Sequence, residues 1–309
     1  KPIKEAKVEA DRAAWTLLFS AEEAHRLTGE AVPLDAHPGG RGRWAMTVRE
    51  PLGVIAAITP FNFPLNLAMH KIGPALAAGN TVVHKPATAT PLSALALVQV
   101  FEECGLPKGA LNVVTGPGGE IGDAIVTHPN VAMVTFTGSP EVGVRMRSLA
   151  GMKRVTLELG NNSAVILEAD ADLDAAVPRC VVGAFSHSGQ VCISVQRIYV
   201  HEEIRAEFLD RFLAATGTLI IGHPADPATD VSSLITVPEA ERVEAWIGEA
   251  VRAGAGLLTG GRRSRATLTP AVLSQVPDTV RLSCKEAFGP VVVVNGFQTL
   301  DEAIDAVNR

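Results

Sequence analysis

Cys192 closes the run Gly189-Gln190-Val191-Cys192, and a cysteine in a glycine-introduced loop is a candidate thiolate nucleophile. A thiol needs access and a route to its ionised form before it can attack. Glu158, in Leu157-Glu158-Leu159-Gly160, ends an apolar strand at the edge where parallel-sheet proteins place ligands, and a carboxylate in an apolar setting can serve as a general base. Asn62 lies in Pro60-Phe61-Asn62-Phe63-Pro64, where two prolines fix an irregular loop and hold an amide N–H that could stabilise an oxyanion. The turn Thr137-Gly138-Ser139-Pro140-Glu141-Val142-Gly143 offers glycine and serine at a helix N-terminus, a setting that suits phosphate. His84-Lys85-Pro86 ends another strand, where a lysine could meet a ribose or a phosphate, and Glu286-Ala287-Phe288-Gly289-Pro290-Val291 leads into a further apolar run. Singly, each has a plainer reading. These are a small buried cysteine, a solvated strand-end glutamate, a turn asparagine, a simple Ser139 N-cap with Pro140 at N1, and a solvated lysine.

The elements that must position these residues read as α/β. Short apolar strands at 54–58, 81–84, 111–114, 133–136 and 155–159 alternate with helical stretches at 65–78, 91–104 and 120–127, the pattern of a parallel sheet wrapped by helices. A second series follows: a strand at 164–168, a helix at 171–187, a strand at 194–201, helices at 202–215 and 238–253, and strands near 268–276 and 291–294. Ahead of both lies an amphipathic helix over 8–27, expected to end at a Gly29 cap, and a projecting pair of strands over 30–53. Turn chemistry at Gly160-Asn161-Asn162-Ser163 puts a domain change near 158–165.

Composition narrows the function classes. The chain of 309 residues is 47% hydrophobic and 19% charged, enough for about two domains with a large core. A formal net charge of -6 with no basic stretch argues against nucleic acid or an acidic membrane as partner, and no apolar run is long enough to span a bilayer. The charged opening Lys1-Pro2-Ile3-Lys4-Glu5 does not read as a signal peptide. The four cysteines form neither a C-x-x-C pair nor a zinc spacing, so no metal is expected, and a reduced, cytoplasmic setting is.

In this order and spacing the stretches are jointly specific, and the sequence resembles the aldehyde dehydrogenase superfamily along essentially its whole length. The matching stretches are Thr59-Pro60-Phe61-Asn62-Phe63-Pro64, Gly79-Asn80-Thr81-Val82-Val83-His84-Lys85-Pro86, Phe136-Thr137-Gly138-Ser139, Leu157-Glu158-Leu159-Gly160, Gly189-Gln190-Val191-Cys192 and Glu286-Ala287-Phe288-Gly289-Pro290-Val291, with Arg197 at the family's spacing from Cys192. The resemblance implies Cys192 as nucleophile, Asn62 with the Cys192 backbone N–H as oxyanion hole, and Glu158 as base for the deacylating water. It implies NAD or NADP as cofactor, with Lys85 and Glu286 on the ribose, Ser139 on the pyrophosphate and Phe288 near the nicotinamide; Thr59, Pro60, Phe61, Thr88, Gly138, Leu159 and Gly160 complete that expected site.

The implied architecture is a Rossmann-like cofactor domain over 1–29 and 51–159, an oligomerisation hairpin over 30–50, and a catalytic domain over 160–309. The implied reaction is oxidation of an aldehyde to a carboxylate through a cysteine thioester, in a homodimer or homotetramer. Two alternatives stay open: an inactive fragment or scaffold on the same fold, and a CoA-acylating enzyme, against which retention of Glu158 speaks. Two positions depart from the family: Asn161 stands where a second glycine is usual, and Lys285 where glutamate is common. The chain also starts inside a helical pattern and stops at Asn308-Arg309, so a central portion lacking both termini is expected, which would leave this chain alone inactive or poorly stable. Thr88 stands where many NAD-preferring members carry a ribose-binding glutamate, so NADP should be accepted. Arg12 and His70, beside the apolar Val191 and Ile193 that flank the nucleophile, suggest an anionic or strongly polar aldehyde.

Overall fold

The computed structural model describes residues 1–309, which divide into two compact units: one is Val8–Leu159, and the other is Gly160–Arg309 together with Lys1–Lys7. The chain passes from one to the other at Gly160. Residues 1–29, expected to stay together with the first sheet, divide between the units after Lys7.

Helix α1 (Ile3–Ala24) is rich in alanine, glutamate and leucine and contains no glycine or proline, so propensity favours it throughout. It starts earlier than the periodicity suggested and ends before Gly29, which is no cap. A Cβ at Gly29 would lie 1.6 Å from the Thr47 carbonyl oxygen, so glycine is needed there for close backbone approach. Strands β1 (Ala31–Pro33) and β2 (Trp44–Met46) pair antiparallel as a ribbon whose Trp44 and Met46 side chains are exposed.

The first unit is built on β3 (Val54–Ile58), α2 (Asn66–Ala77), β4 (Thr81–Lys85), α3 (Leu92–Glu103), β5 (Leu111–Val113), α4 (Gly118–Thr127), β6 (Val131–Gly138), α5 (Pro140–Leu149) and β7 (Arg154–Leu159). The strands form one parallel sheet in the order β5-β4-β3-β6-β7. Strand β3 is apolar at every position because helices cover both faces. Ile55 and Ala57 pack on Ala68, Met69 and Ile72 of α2, while Ala56 and Ile58 pack with Val126, Val134 and Met146 on the other face. Each fully buried valine, isoleucine or methionine among them contributes about 1.5–3 kcal/mol, and each alanine less. Gly79 and Gly105 close α2 and α3 at φ of 77° and 83°, as their positions suggested.

The second unit comprises β8 (Ala164–Leu167), α6 (Leu173–Phe185), β9 (Arg197–His201), α7 (Glu202–Gly217), α8 (Val237–Arg252), β10 (Gly256–Thr259), β11 (Arg263–Ser264), β12 (Thr267–Leu268), β13 (Ala271–Ser274), α9 (Arg281–Cys284), β14 (Val291–Phe297) and α10 (Leu300–Val307). Its main sheet runs β10-β13-β14-β9-β8, parallel except for β10. Val292 and Val294 face Phe185, Phe208 and Phe212, whereas Val291 and Val293 face Trp246 and Ile247 of the amphipathic α8. The single strand expected near 268–276 is two short ones broken at Thr269-Pro270, and the strand expected from Ser194 begins only at Arg197. No helix is long and apolar enough to cross a membrane.

Candidate active site

In the second unit, the helix expected to run to 187 stops at Phe185 because the chain then turns left-handed. His187, Ser188 and Gly189 follow one another at φ of 49°, 57° and 71° within a 3₁₀ turn, Ser186–Gly189. For a residue with a side chain this backbone costs about 1–3 kcal/mol and persists only where its surroundings impose it. Here they do. The buried Ser188 hydroxyl donates to the Ser232 carbonyl and accepts the Ser232 N–H, both at 3.0 Å. The buried Gln190 carboxamide donates to the His187 carbonyl at 3.3 Å and accepts the Ile235 N–H at 2.9 Å. A Cβ at Gly189 would lie 2.0 Å from the Gly289 carbonyl oxygen, so only glycine lets the two segments touch.

Cys192 sits half-buried just beyond this turn, between half-buried Val191 and exposed Ile193. The Ser194 N–H closes back on the Val191 carbonyl at 2.9 Å. The departure at Asn161 has a consequence here: its side-chain N–H donates to the Cys192 carbonyl at 2.6 Å, and Ser163 holds its other end. Of the remaining cysteines, burial pushes the Cys180 thiol up to about 11, which disqualifies it as a thiolate. Cys104 is exposed in the turn that caps α3, and Cys284 is exposed at the end of α9.

Glu286 is half-buried against Gly160, where a Cβ would lie 1.9 Å from its Oε2. The Gln196 side chain accepts the Ala287 N–H at 3.0 Å, and Phe288 adopts a φ of 50°, so this segment too is held in a special conformation. Lys285 is exposed, so the second departure from the family is a surface one. Arg197 is structural: its buried guanidinium donates to the carbonyls of Asn162, Ala306 and Val307, the latter two at the C-terminus of α10.

In the first unit, the carboxyl ends of β3, β4, β6 and β7 carry Thr59, Lys85, Gly138 and Glu158 respectively. The Thr59 hydroxyl bonds His84 Nε2 at 2.9 Å, and the Thr59 N–H donates to the Lys85 carbonyl at 3.1 Å. Burial, with Lys71 and Lys85 nearby, depresses His84 to about 4, so it stays neutral at physiological pH. Lys85 is buried and donates to the Pro86 carbonyl at 3.0 Å; burial lowers its pKa.

Asn62 is buried, with Pro60 and Phe61 half-buried before it. The helix that follows, α2, has Leu65 at its N-cap, which offers no side-chain acceptor. The buried Glu9 carboxylate does the capping instead, accepting the N–H groups of Leu65 at 2.8 Å and Asn66 at 3.1 Å. Arg12 is exposed, and after burial its charge is the main influence lowering the pKa of His70, so the two share a neighbourhood.

Lys71 was not foreseen. It is buried on α2, donates to the Thr135 hydroxyl at 3.2 Å, and burial lowers its pKa to about 8 against the opposing charge of Glu158. A signal existed: Lys71 falls between Met69 and Ile72 on the apolar face of an amphipathic helix, where a lysine needs a reason.

At the β6–α5 turn, Ser139 is exposed and accepts the Val142 N–H at 3.4 Å as an N-cap. A Cβ at Gly138 would lie 2.5 Å from the Phe136 ring, and one at Gly143 would lie 2.4 Å from the Leu159 side chain, so both glycines permit close packing around this helix start. The Thr88 hydroxyl donates to the Gly116 carbonyl at 2.8 Å.

A model of the aldehyde dehydrogenase family matches residues 1–309. The chain belongs to that family. It is 51% identical over 308 residues to a 3-sulfolactaldehyde dehydrogenase of Priestia aryabhattai, covering 100% of this chain and 65% of that protein. Among solved structures, aldehyde dehydrogenase 21 of Physcomitrella patens in complex with its reaction product succinate superposes with a TM-score of 0.96 at 38% identity, covering 100% of this chain and 64% of that one. A glyceraldehyde-3-phosphate dehydrogenase of Methanocaldococcus jannaschii complexed with NADP gives 0.94 at 40% identity, covering 100% and 67%. The chain thus spans about 65% of the length of its curated aldehyde dehydrogenase relative. The Rossmann-like parallel sheet of the first unit and the mixed sheet of the second match these aldehyde dehydrogenase structures.

Proposed function

We propose that the full-length protein oxidises a short anionic aldehyde to its carboxylate with NADP or NAD. The observation that carries this reading is the seat of Cys192: a half-buried thiol directly after a left-handed turn that buried polar contacts hold in place. The thiolate adds to the aldehyde carbon, forming a carbon–sulfur bond, and the carbonyl oxygen becomes an oxyanion. The Asn62 amide and the Cys192 backbone N–H stabilise that charge. When bound, the nicotinamide supplies the hydride acceptor that turns the adduct into a thioester. Glu158 takes a proton from water, which displaces the thiolate and releases the carboxylate. Retention of Glu158 favours water over CoA as acyl acceptor. The test is formation of reduced cofactor from a panel of short aldehydes, with and without CoA. An absolute requirement for CoA would overturn the hydrolytic step, and no turnover on any aldehyde would overturn the reading.

The side chains present fit a nicotinamide dinucleotide. Gly138 and Gly143 let the start of α5 pack closely on Phe136 and Leu159, and Ser139 is exposed at that helix N-terminus, which suits a pyrophosphate. Lys85 and Glu286 suit ribose hydroxyls, and Phe288 one face of the nicotinamide. The Thr88 hydroxyl is already donating to Gly116, so acceptance of NADP rests on the lack of a repelling carboxylate at that position more than on a new hydrogen bond. We expect kcat/KM with NADP to be at least comparable to that with NAD; exclusion of NADP by about a hundredfold or more would refute this.

Arg12 and His70 favour an anionic substrate: Arg12 is exposed, and its charge lies near enough to His70 to lower the histidine's pKa. The Priestia relative is named for a sulfonated aldehyde, and the Physcomitrella structure holds the dicarboxylate succinate. Arg12→Ala should lower kcat/KM about tenfold or more for sulfonated or carboxylated aldehydes and little for neutral ones of equal length. Equal losses on both sets would remove Arg12 from recognition. The exposed Trp44 and Met46 of the β1–β2 ribbon are the surface through which we expect the protein to oligomerise.

A further inference from the structure

We propose that Glu5 is a positioning residue for the loop that carries Cys192: its carboxylate accepts the backbone N–H of His187 and so holds the left-handed turn that sets where the thiol points. The proposal rests on the reading of Cys192 as nucleophile.

The Glu5 Oε1 lies 2.7 Å from the His187 nitrogen. His187 opens the run of positive φ values and is itself buried, so its N–H cannot turn to water or to a helical carbonyl. An unpaired N–H at that point would add to the strain already present in His187 and Ser188. Glu5 is poorly placed as a mere surface charge. It is half-buried, its Oε2 is buried without a hydrogen-bond partner, and burial raises its pKa, with the His187 bond the largest opposing influence. A carboxylate drawn out of water at this cost is retained where its acceptor matters.

The first turn of α1 is anchored by backbone: the Ile3 N–H donates to the Pro224 carbonyl at 2.7 Å, independently of the exposed Lys4–Asp230 pair. Other contacts of the turn include Ser188 on Ser232, Gln190 on Ile235, the Gln190 N–H on the His187 carbonyl at 3.1 Å, and the Ser186 N–H on the Val182 carbonyl at the end of α6. Glu5 adds a side-chain acceptor at His187, where the left-handed run begins.

The experiment compares Glu5→Ala, Glu5→Asp, Glu5→Gln and Lys4→Ala in the full-length protein. The readouts are kcat, cofactor KM, and the rate and pH profile of Cys192 alkylation by iodoacetamide. Glu5→Asp keeps charge and fold but is one methylene too short to reach His187, so it and Glu5→Ala should lower kcat and the alkylation rate about tenfold. The cofactor KM should stay within about twofold. Glu5→Gln keeps an acceptor oxygen at full reach and should recover most of the loss, and Lys4→Ala, which removes only an exposed ion pair, should cost little. An aspartate variant that matches wild type, a glutamine variant as slow as alanine, or an equal loss in Lys4→Ala would overturn the proposal. Alkylation of another cysteine in the wild-type protein, with turnover surviving Cys192→Ser, would instead overturn the nucleophile assignment and this proposal with it.

Discussion

Cys192→Ser is expected to abolish aldehyde oxidation, by about 10⁴-fold or more, while leaving cofactor binding nearly unchanged. A serine hydroxyl in the same seat ionises far less readily than a thiol, and it forms an ester in place of the more labile thioester. The residues assigned to the cofactor lie mainly in Val8–Leu159, outside the unit in which the substitution is made. Alkylation kinetics and a cofactor titration on wild type and variant separate loss of chemistry from loss of fold. Turnover that survives Cys192→Ser and disappears on changing Cys104, Cys180 or Cys284 would overturn the assignment; the raised pKa of Cys180 already makes that residue the poorest of the alternatives.

Glu158→Gln is the other large effect. A pre-steady-state burst of reduced cofactor should persist, because thiol addition and hydride loss do not use this carboxylate, whereas steady-state turnover should fall about 10²–10⁴-fold as the acyl-enzyme accumulates. Mass spectrometry of the quenched enzyme would detect the acyl adduct on Cys192. Loss of the burst without accumulation would remove Glu158 from deacylation. The glutamine keeps the volume of Glu158 beside Lys71 and removes only its charge, so a fold defect is not expected.

The parts of the site most legible in the sequence were those fixed by local rules. Pro60 and Pro64 bracket a loop that no regular element could contain, and Asn62 lies inside it. Gly138-Ser139-Pro140 reads as a strand end, an N-cap and a first helical residue, and the α5 terminus has that form. Less legible were features that depend on residues far apart in the chain. The expected helix over 171–187 overran because periodicity cannot register a left-handed turn whose cause lies at Ser232, Ile235 and Gly289. The position of Gly29 suggests a cap, whereas its lack of a Cβ serves a contact with Thr47. The place of Lys71 on an apolar helix face is visible in the sequence, but its depressed pKa follows from burial.

The sequence by itself determined the alternation of strands and helices, since buried parallel strands must be apolar throughout and their crossovers amphipathic. It also displays the groups we propose as reactive, a thiol at Cys192, a carboxylate at Glu158 and an amide at Asn62. Only the tertiary structure decided how those groups are held. Glu9 caps the helix after Asn62 from 56 residues away, Glu5 reaches His187 across 182 residues, and Asn161 grips the Cys192 carbonyl across 31. Such contacts follow no sequence period: each depends on where a side chain ends after the chain has folded, and a buried N–H or carbonyl takes whichever partner the packing brings within reach.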